Sequence, residues 1–578
     1  MLVTGWLGIT PLVRVIKNPS VIGRVLAVLL FCALGLQPVP AQTSQPVLRI
    51  ALSNGVNTVF WPLTGSNFIL QAKTDLSSTA TWTNLTTGNQ NVSLNTFPST
   101  DGYAQYITNV VGDEITCNLP VVDGQRFFRL RTPQMIPACS FAVFYNGLLE
   151  FSQSPSLVFN GRVHANGPIY VGSSVPVTFN STITTASNLS APFADGLATG
   201  WTPSNPNAWN FVFNGNPGYI TNATSLGIAG LNPTNYHSLI DIPPASEDPR
   251  STNGILRLFN QAAMILIVTN DIGTGTHPTV RLSIQASVNG MIPGIDPTPV
   301  VYFLTNASPA RLNTNLPFLT LTNQFYDQRE YKTNYVTQID VGRFSSWAST
   351  NQVVQSKLPS SSGIFPTILY VADRRNVSSK QLAVVRVTNG AQLPGNNGLG
   401  FTLATPNPLY VWGNYNVQTS TSAANASADT ANTDYTVPAA LISDALTVLS
   451  PNWADSDGYS TYFLSSPTFA AADMTINAAI ITGTVASTGT SGTTFSGGVH
   501  NLPRLLESWP GKNLWLNTSF IRLWDSQWAT NQFRNPDGFT PIPVNPYYNP
   551  PSRRFNFDFN FLFSSKIPPG VPMFIVTP

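Results

Sequence analysis

Two of the four histidines in this 578-residue chain occur in similar phrases, which raises the question of a metal site. The phrases from Phe159 to His164 and from Phe495 to His500 both follow the pattern Phe-x-Gly-x-Val-His. A structural zinc site needs four ligands, which His, Cys, Asp and Glu supply at close spacing. Neither phrase has a cysteine or a carboxylate at such spacing. We therefore predict turn-exposed or hydrogen-bonded structural histidines, no metal and no cofactor.

Carboxylates could supply acid–base chemistry, as in glycoside hydrolysis, where two of them act on one bond. Those of the C-terminal half are scattered, except in the phrase from Asp455 to Gly458, which lacks the later Glu of a calcium loop and is typical of an Asx turn. No nucleophile elbow, phosphate loop or dinucleotide motif occurs. We therefore predict no catalytic residue. The acidic residues considered are Asp444, Asp455, Asp457, Asp473, Glu507 and Asp525.

Aromatic side chains near the C-terminus give the strongest indication of a binding surface. Aromatic residues are enriched where proteins meet partners, and their faces also stack on sugars. We take five of them as a candidate partner surface: Trp515, Trp524, Trp528, Tyr547 and Tyr548. From Phe555 to Phe563, phenylalanines alternate with other residues, which predicts a strand whose aromatic face seals the core.

The composition limits the elements that can position these residues. Charged residues make up 9% of the chain, against about 25% in a typical soluble domain. Hydrophobic residues reach 42%, which argues against disorder. The net charge is +2 and no basic run stands out, so we predict no nucleic-acid partner. Abundant Thr, Ser, Asn and Gly suit an extracellular β-protein.

The N-terminal segment has the features of an export signal. Arg14, Lys17 and Arg24 precede an apolar run from Val25 to Leu36, and small residues Val39 and Ala41 follow. We predict a signal peptide over residues 1–41 and export to the outer surface, the periplasm or the medium. An uncleaved anchor is the alternative. No second apolar run is long enough to span a membrane, so we predict no membrane span after cleavage.

Two cysteines, Cys117 and Cys139, remain after the predicted cleavage. In an oxidising compartment they could form a disulfide that ties the first domain to the start of the second. Two unpaired, buried thiols are the alternative, because the sequence gives no distance between them.

Residues 42–135 contain short alternating strands with frequent turn signals, which predicts a β-sandwich. Several phrases in this stretch resemble a short immunoglobulin-like module of secreted bacterial proteins. The resemblance implies a spacer or adhesion module and brings no catalytic residue. The phrases are Trp61-Pro62, Phe68 to Gln71, Thr74 to Leu76, Trp82 and Phe127 to Leu130.

The remaining chain is predicted to be mostly β, so that the fold class is all-β with minor α. Very short apolar pairs, such as Leu157 with Phe159, alternate with Gly and Asn turns, which is typical of a parallel β-solenoid. We find no fixed period, and the repeated histidine phrase reflects either chance or two equivalent coils. The predicted segments are 136–190 as the first part of the β-solenoid, 191–395 as a large mixed insertion, and 396–578 as the second part with the aromatic strand.

Three segments are predicted to be helical. Asn253 to Ala262 and Val341 to Trp347 are short candidates within the insertion. Asn501 to Trp509 is the best candidate, because Asn501 can cap it and its leucines fall on one face.

Residues 140–578 resemble a bacterial family related to PilX-like, type IV pilus-associated proteins. The phrases that carry the resemblance are Val163 to Tyr170, Phe325 to Glu330, Gln338 to Val341, Ala404 to Val411, Ser496 to Val499, Phe557 to Phe561 and Lys566 to Gly570. The resemblance implies an envelope or pilus-associated scaffold. Pilin-like relatives begin with a hydrophobic helix that a peptidase processes, whereas this chain begins with an ordinary export signal.

Together these features predict an exported cell-surface or envelope structural protein without catalysis, which serves adhesion or appendage assembly. Its expected partners are cell-surface or pilus-assembly proteins. The alternative is a secreted β-helix protein that binds or cleaves glycans, with polysaccharide as its partner.

Overall fold

A computed structural model describes residues 12–15, 48–53, 56–62, 69–73, 83–84, 108–111, 114–120, 126–131, 134–152, 154–173, 175–190, 210–270, 277–285, 300–306, 308–358, 366–394, 399–417, 428–459, 470–487, 496–533 and 547–576. These residues are mostly β-structure and include extensive parallel sheets. The chain divides into two compact units. One contains residues 1–135 and 575–578, and the other contains residues 136–574.

The first unit contains two four-stranded antiparallel sheets, with strand orders β1-β8-β4-β5 and β2-β3-β7-β6. Buried Val59 lies on β3 and buried Leu70 on β4, so each sheet contributes to the apolar interior. The strands are β1 (Leu12–Val15), β2 (Arg49–Ser53), β3 (Val56–Pro62), β4 (Ile69–Lys73), β5 (Thr83–Asn84), β6 (Thr108–Val111), β7 (Glu114–Pro120) and β8 (Arg126–Arg131).

Strand β1 lies inside the predicted export signal, where it pairs with β8. Cleavage after Ala41 would remove this edge strand and leave β8, β4 and β5 paired. The apolar run from Val25 to Leu36 lies outside the described residues. The same is true of Phe68, the phrase from Thr74 to Leu76, and Trp82.

The other strands follow in chain order. The first group is β9 (Gln134–Pro137), β10 (Phe141–Tyr145), β11 (Leu149–Ser152), β12 (Leu157–Phe159), β13 (Arg162–Ala165), β14 (Ile169–Gly172), β15 (Val177–Phe179), β16 (Ile183–Thr185), β17 (Leu189–Ser190), β18 (Phe211–Phe213) and β19 (Tyr219–Ile220). The second group is β20 (Gly227–Ile228), β21 (Met264–Thr269), β22 (Thr279–Ile284), β23 (Val300–Asn306), β24 (Leu319–Thr320), β25 (Gln324–Asp327), β26 (Lys332–Asp340), β27 (Ile368–Asp373) and β28 (Gln381–Thr388). The third group is β29 (Phe401–Thr405), β30 (Leu409–Trp412), β31 (Ala439–Ser443), β32 (Leu446–Leu449), β33 (Met474–Asn477), β34 (Ala479–Thr484), β35 (Arg504–Leu505), β36 (Asn513–Thr518), β37 (Phe520–Asp525), β38 (Ser552–Phe557) and β39 (Met573–Val576).

Helices are few and short. The α-helices are α1 (Thr252–Leu256), α2 (Leu258–Gln261), α3 (Pro309–Asn315), α4 (Val341–Thr350) and α5 (Gln352–Lys357). The 3₁₀ helices are Ala138–Ser140, Pro233–Leu239, Asp457–Tyr459, Val499–Asn501, Phe559–Leu562 and Ser564–Lys566.

A twelve-stranded sheet runs through the second unit in the order β19-β16-β13-β10-β37-β34-β31-β29-β27-β21-β22-β23. Every pair from β19 to β21 is parallel, and the last two pairs are antiparallel. The order is permuted relative to the sequence, because β10 pairs with β37. The Ser519 hydroxyl donates a hydrogen bond of 2.5 Å to the Phe141 carbonyl across this junction, between residues 378 positions apart.

Residues 141–220 pass repeatedly through the same three sheets, and each passage, here called a circuit, adds one strand to each sheet. The partners Val143, Val163 and Ile183 are in register at intervals of twenty residues. The two smaller sheets have the orders β11-β14-β17 and β12-β15-β18, and all of their pairs are parallel. This twenty-residue period corrects the expectation that no fixed period exists.

The later circuits are longer, and they use a seven-stranded sheet and the three-stranded sheet β33-β36-β38. The seven-stranded sheet has the order β24-β26-β28-β30-β32-β35, and β25 pairs with β26. Strands β21 and β27 belong to the twelve-stranded sheet, and β26 and β28 belong to the seven-stranded sheet. Both sheets therefore contain strands from before and after residue 396, the predicted boundary between the insertion and the second part of the solenoid.

Phenylalanine rings fill the interior of the early circuits. The Phe179 ring lies 5.3 Å from Phe159 and 5.7 Å from Phe213, centroid to centroid, and both pairs are stacked. Phe159 in turn lies 4.8 Å from Phe555 of β38. The aromatic interior is therefore continuous from the C-terminal strands into the early circuits. The predicted aromatic strand from Phe555 to Phe563 is observed only in part: β38 ends at Phe557, Phe559–Leu562 is a 3₁₀ helix, and Phe559 and Phe563 are exposed.

Asparagine side chains form ladders at the ends of these strands. Asn180 donates to Asn160 and accepts from Asn214, each at 2.7 Å. A second ladder connects the later circuits through Asn416, Asn477, Asn517 and Asn556. Such ladders give neighbouring circuits specific hydrogen bonds in addition to backbone pairing.

The helix predictions had mixed outcomes. Helices α1 and α2 cover most of the predicted segment from Asn253 to Ala262, and α4 contains the predicted turn at Val341 to Trp347. The prediction for Asn501 to Trp509 was wrong. A 3₁₀ turn ends at Asn501, and Arg504 and Leu505 pair in parallel with β32. These residues are buried on all sides, so the leucine spacing reflects burial rather than one helical face.

Candidate functional site

The five aromatic residues of the predicted partner surface do not form one exposed surface. Trp524, Tyr547 and Tyr548 are buried, and Trp515 is half-buried beneath the Arg554 guanidinium, 5.9 Å from its ring centroid. Trp528 is 51% exposed. The clustering of aromatic residues near the C-terminus therefore indicated mainly the core, and of these five residues only Trp528 offers a broad aromatic face to solvent.

Trp528 belongs to a short turn, Ser526 to Asn531, that follows β37; we call it the Trp528 turn. One end is held by the buried carboxylate of Asp444. This carboxylate accepts hydrogen bonds from the Ser526 hydroxyl at 2.6 Å and from the backbone N–H groups of Gln527 at 2.6 Å and Trp528 at 3.2 Å. A buried carboxylate needs such donors, because ionised groups are costly to remove from water.

The other end of the Trp528 turn is held by a buried ion pair. Arg504 donates from Nη1 to Glu330 Oε1 at 2.6 Å and from Nη2 to the Ala529 carbonyl at 2.5 Å. Glu330 Oε2 accepts from the Asn531 backbone N–H at 3.0 Å. The turn is thus fixed at both ends by charged groups that lie below the surface, while the Trp528 side chain projects outward.

His237 adds a third contact to the Asp444 end. Its Nδ1 lies 2.8 Å from Asp241 Oδ1, and its Nε2 lies 3.2 Å from Asp444 Oδ1. Burial lowers the pKa of His237. The hydrogen bonds to Asp241 and Asp444 and the charges of these aspartates outweigh that effect, and they raise the pKa from 6.5 to about 9. The ring is therefore an imidazolium at neutral pH, held between two carboxylates.

This group of Ser, His and Asp does not have the geometry of a nucleophilic triad. In such a triad the histidine accepts the proton of the serine hydroxyl. Here the Ser526 hydroxyl donates to Asp444, and both ring nitrogens of His237 are occupied by carboxylates. The charged imidazolium cannot act as a base at neutral pH, so the arrangement anchors the segment Pro233–Leu239 and the Trp528 turn.

A further ion pair lies on one face of the seven-stranded sheet. Arg386, Tyr410, Thr447 and Arg504 are successive register partners across that sheet. Arg386 is fully buried and pairs with Asp455 at 2.5 Å and 3.0 Å. Its guanidinium carbon lies 4.8 Å from the Trp412 ring centroid. The Tyr410 hydroxyl donates to Asp327 at 2.5 Å. These contacts attach loops to the sheet.

The carboxylates considered for glycan cleavage are engaged in local contacts. Asp455 pairs with Arg386, Asp525 pairs with Arg522, and Asp473 accepts from the Asn513 backbone N–H. Asp457 accepts from the Ala454 backbone N–H, as expected of a turn. Glu507 accepts from both the N–H and the hydroxyl of Ser450, and burial raises its pKa to about 7. These contacts account for the carboxylates as structural groups.

The two histidines of the repeated phrase occupy different environments. His164 lies on β13, where Nδ1 contacts the Thr184 hydroxyl at 2.7 Å and Nε2 contacts Asn166 at 3.1 Å. His500 is half-buried in a 3₁₀ turn and contacts Asn501, and loss of hydration holds its pKa well below the usual range. The two phrases are therefore not equivalent coils, and Phe495 lies outside the described residues.

The described residues contain neither a cluster of metal ligands nor an exposed thiol. Within the described residues, no group of three or more His, Cys, Asp or Glu side chains could hold a metal ion. Cys139 is a buried, free thiol, and burial raises its pKa far above the usual range. Cys117 lies on β7, and its side chain lies outside what is described.

The sequence patterns included Asp444 among the acidic residues considered, but they did not predict that Asp444, Glu330 and Arg504 fix the Trp528 turn. Asp241 follows His237 by four residues, and this spacing was available as a signal. Arg504 lies between apolar residues, and Asp444 lies in a mostly apolar stretch from Ala439 to Leu449. An isolated charge in an apolar stretch indicates a buried partner. The partners themselves were not predictable, because Asp444 is 207 residues from His237 and Glu330 is 174 residues from Arg504.

Comparison with known proteins gave no relatives: no family model, curated protein or solved structure matches this chain. The helices in the described part of the chain are all too short or too polar to cross a membrane.

Proposed function

We propose that the chain is an exported structural protein of the cell surface or envelope, which presents a rigid surface for adhesion or appendage assembly. In this proposal an immunoglobulin-like β-sandwich precedes a parallel β-solenoid, and the protein belongs with PilX-like, pilus-associated scaffolds. The proposed partners are cell-surface or pilus-assembly proteins.

One observation carries the proposal: parallel pairing continues from β19 to β21 without a break at the β10–β37 junction. A stack of this kind resists bending, because each strand is held by backbone hydrogen bonds to both neighbours. The buried charges support the same role, because Asp444, Glu330 and Arg504 bind loop backbone instead of facing an open cleft.

Glycan binding is the second candidate, and the Trp528 turn is the observation that favours it. A flat aromatic face that is fixed in position can stack on a sugar ring with little loss of conformational entropy. Trp528 is half-exposed, and its backbone is held by Asp444. Under this alternative the stack would display a polysaccharide-binding residue.

Localisation tests the scaffold proposal. A C-terminally tagged full-length copy should be labelled on intact cells by a membrane-impermeant reagent, and it should co-purify with envelope proteins. Recovery in the cytosol would contradict export. Recovery as free protein in the medium, retained on polysaccharide beads, would contradict the scaffold and favour the glycan-directed alternative.

A pair of substitutions separates the two candidates. Under the glycan alternative, Trp528→Ala should release the protein from polysaccharide beads, whereas Trp528→Phe should retain part of the binding. Tyr459→Ala is the matched control, because Tyr459 is equally exposed at 52% but belongs to the 3₁₀ helix Asp457–Tyr459, away from the Trp528 turn in the sequence. Equal retention of all three variants would remove the evidence for sugar stacking at Trp528.

A further inference from the structure

Tyr331 has a backbone conformation that few tyrosines adopt. Its φ of 53° lies in the left-handed region, where the Cβ atom of an L-residue crowds the backbone. In the described part of the chain, the other non-glycine residues with positive φ are all asparagine or aspartate. A bulky residue in this conformation is strained, and strained residues cluster at functional sites. The Tyr331 side chain is 48% exposed, so part of its ring faces solvent.

The turn that contains Tyr331 is fixed by a buried carboxylate. Residues 328–331 connect β25 to β26, and we call them the Tyr331 turn. Asp327 Oδ1 accepts hydrogen bonds from the backbone N–H groups of Arg329 at 2.7 Å and Glu330 at 2.9 Å. The Trp528 turn is held in the same way, by the buried carboxylate of Asp444. Both exposed rings therefore lie on turns whose backbone is fixed from below.

The Tyr331 turn and the Trp528 turn are joined by Asn531. The Asn531 side-chain amide donates to the carbonyls of Arg329 at 3.2 Å and Glu330 at 2.8 Å. Its backbone N–H donates to Glu330 Oε2 at 3.0 Å. Tyr331 follows Glu330 directly, and Trp528 precedes Asn531 by three residues. From the reach of these connections, the Cα atoms of Tyr331 and Trp528 are at most about 20 Å apart, a distance that a short oligosaccharide spans.

Uncharged polar side chains accompany the two rings. Gln527 and Thr530 are exposed members of the Trp528 turn, and their side chains form no hydrogen bond with the described residues. Amide and hydroxyl groups both donate and accept, as sugar hydroxyls do. The exposed carboxylate of Asp525 already has Arg522 as its partner. These polar groups favour a ligand that is rich in hydroxyl groups and carries no charge.

We infer that Tyr331 and Trp528 together bind a neutral polysaccharide, with one sugar residue of the chain stacked on each ring. This inference rests on the glycan-binding candidate function, and it adds a second ring and a class of ligand. Two rings on joined turns favour a chain that reaches both, because the second contact becomes intramolecular once the first has formed. Rings that are already fixed lose little conformational entropy on binding. The strained conformation of Tyr331 is then explained by the position in which it holds the ring.

Oligosaccharides of increasing length test the inference with the full-length protein. Glucomannan, laminarin and hydroxyethylcellulose serve as neutral probes in affinity gel electrophoresis, and oligomers of each polymer that retards the protein are titrated by calorimetry. The unaltered protein should bind long oligomers more tightly than short ones. Tyr331→Asn should weaken the binding of long oligomers by about threefold to tenfold, because one of two stacking contacts is lost. It should have little effect on short oligomers, which still stack on Trp528.

The choice of asparagine separates loss of the ring from loss of the fold. Asparagine adopts a positive φ more readily than tyrosine, so Tyr331→Asn should keep or raise the unfolding temperature. Tyr331→Phe retains the ring and should bind long oligomers like the unaltered protein. Tyr219→Ala is the matched control, because Tyr219 is 51% exposed on β19 and lies outside both turns. This control should leave the binding of every oligomer unchanged.

Several results would overturn the inference. An unaltered protein that none of the neutral probes retards would do so. If Trp528→Ala abolished binding while Tyr331→Asn did not weaken it, the glycan-binding candidate would survive and the second ring would be refuted. Retardation by anionic alginate alone, lost at high salt, would indicate attraction to a charge such as Lys332 instead of stacking. Surface labelling of intact cells does not depend on these measurements, so the scaffold proposal stands or falls separately.

Discussion

The early circuits, residues 141–220, and the later circuits, residues 264–557, maintain parallel pairing by different means. The early circuits repeat every twenty residues as far as β17 and place like side chains in contact, such as Phe159 with Phe179. The later circuits contain long loops, and buried ion pairs such as Glu330 with Arg504 connect those loops to the sheets. One region is held by repetition and the other by specific pairs.

The difference follows from what each region must position. A short turn between two strands has little conformational freedom, so the stacking of equivalent side chains from neighbouring circuits is enough to fix its conformation. A long loop loses more conformational entropy when it becomes ordered, and a charged hydrogen bond to its backbone can offset that cost. Buried ion pairs are therefore expected where loops are long, and aromatic and amide ladders where they are short.

Removal of a central ladder ring should have the largest effect on stability. Phe179 contacts four other phenylalanine rings, at Phe151, Phe159, Phe211 and Phe213. Phe179→Ala should lower the free energy of unfolding by about 3–5 kcal/mol, measured by denaturant titration. Phe213→Ala, at the half-exposed end, should cost less. A larger loss for Phe213→Ala would show that the interior ladder does not stabilise the early circuits.

Breaking the ion pair tests the later circuits. Arg504→Ala leaves Glu330 buried without its partner and should cost about 3–4 kcal/mol by the same measurement. Asp525→Ala is the comparison, because this exposed partner of Arg522 should contribute at most about 1 kcal/mol. Similar losses for the two variants would contradict the assignment of Arg504 as the clamp of the Trp528 turn.

The pH dependence of stability should identify His237 as the cation between two carboxylates. Its folded pKa of about 9 lies above the ordinary value of 6.5, so its contribution is fully present below pH 6.5 and is lost as the pH rises through 9. The loss should approach about 3 kcal/mol. Unfolding temperatures from pH 6 to 10 measure it, and His237→Gln should flatten the curve over that range. An equally steep curve in the variant would exclude His237.

The smallest effect is expected at the asparagine ladder. Asn180→Ala removes one donor and one acceptor on the surface of the early circuits and should cost about 1 kcal/mol. Asn188→Ala is a comparison on an exposed turn of the same circuits, where we expect a smaller change. A neutral result for Asn180→Ala would assign the stability of these circuits to the phenylalanines alone.

Sequence patterns predicted the strands but not their neighbours. The short apolar pairs at Leu157, Phe159 and Val177 were recognised, and a mostly β fold with parallel sheets is present. Each strand of the sheet β12-β15-β18 ends in a Phe that is followed by Asn. These phenylalanines are Phe159, Phe179 and Phe213, and the repeat was visible in the sequence. It was missed because the third copy is displaced by a longer connection.

The candidate site was harder to predict, because a buried tryptophan and an exposed tryptophan occur in similar local sequence. Trp524 and Trp528 are four residues apart, yet the first packs against His237 and the second faces solvent. The contact between the Gln527 backbone N–H and Asp444, which lies 83 residues earlier, marks the start of the Trp528 turn, and the local sequence does not reveal it. Isolated charges among apolar residues are therefore a better guide to such sites than aromatic spacing.

The pairing of β10 with β37 constrains the order of events during synthesis. Phe141 contacts Ser519 across 378 positions, so β10 leaves the ribosome long before its neighbour exists. During that interval the early circuits can assemble with one another, but the β37 side of β10 stays unpaired. Contacts between such distant residues slow folding, because a long loop must close before the contacts form. Completion of the stack is consequently one of the last steps in the maturation of the chain.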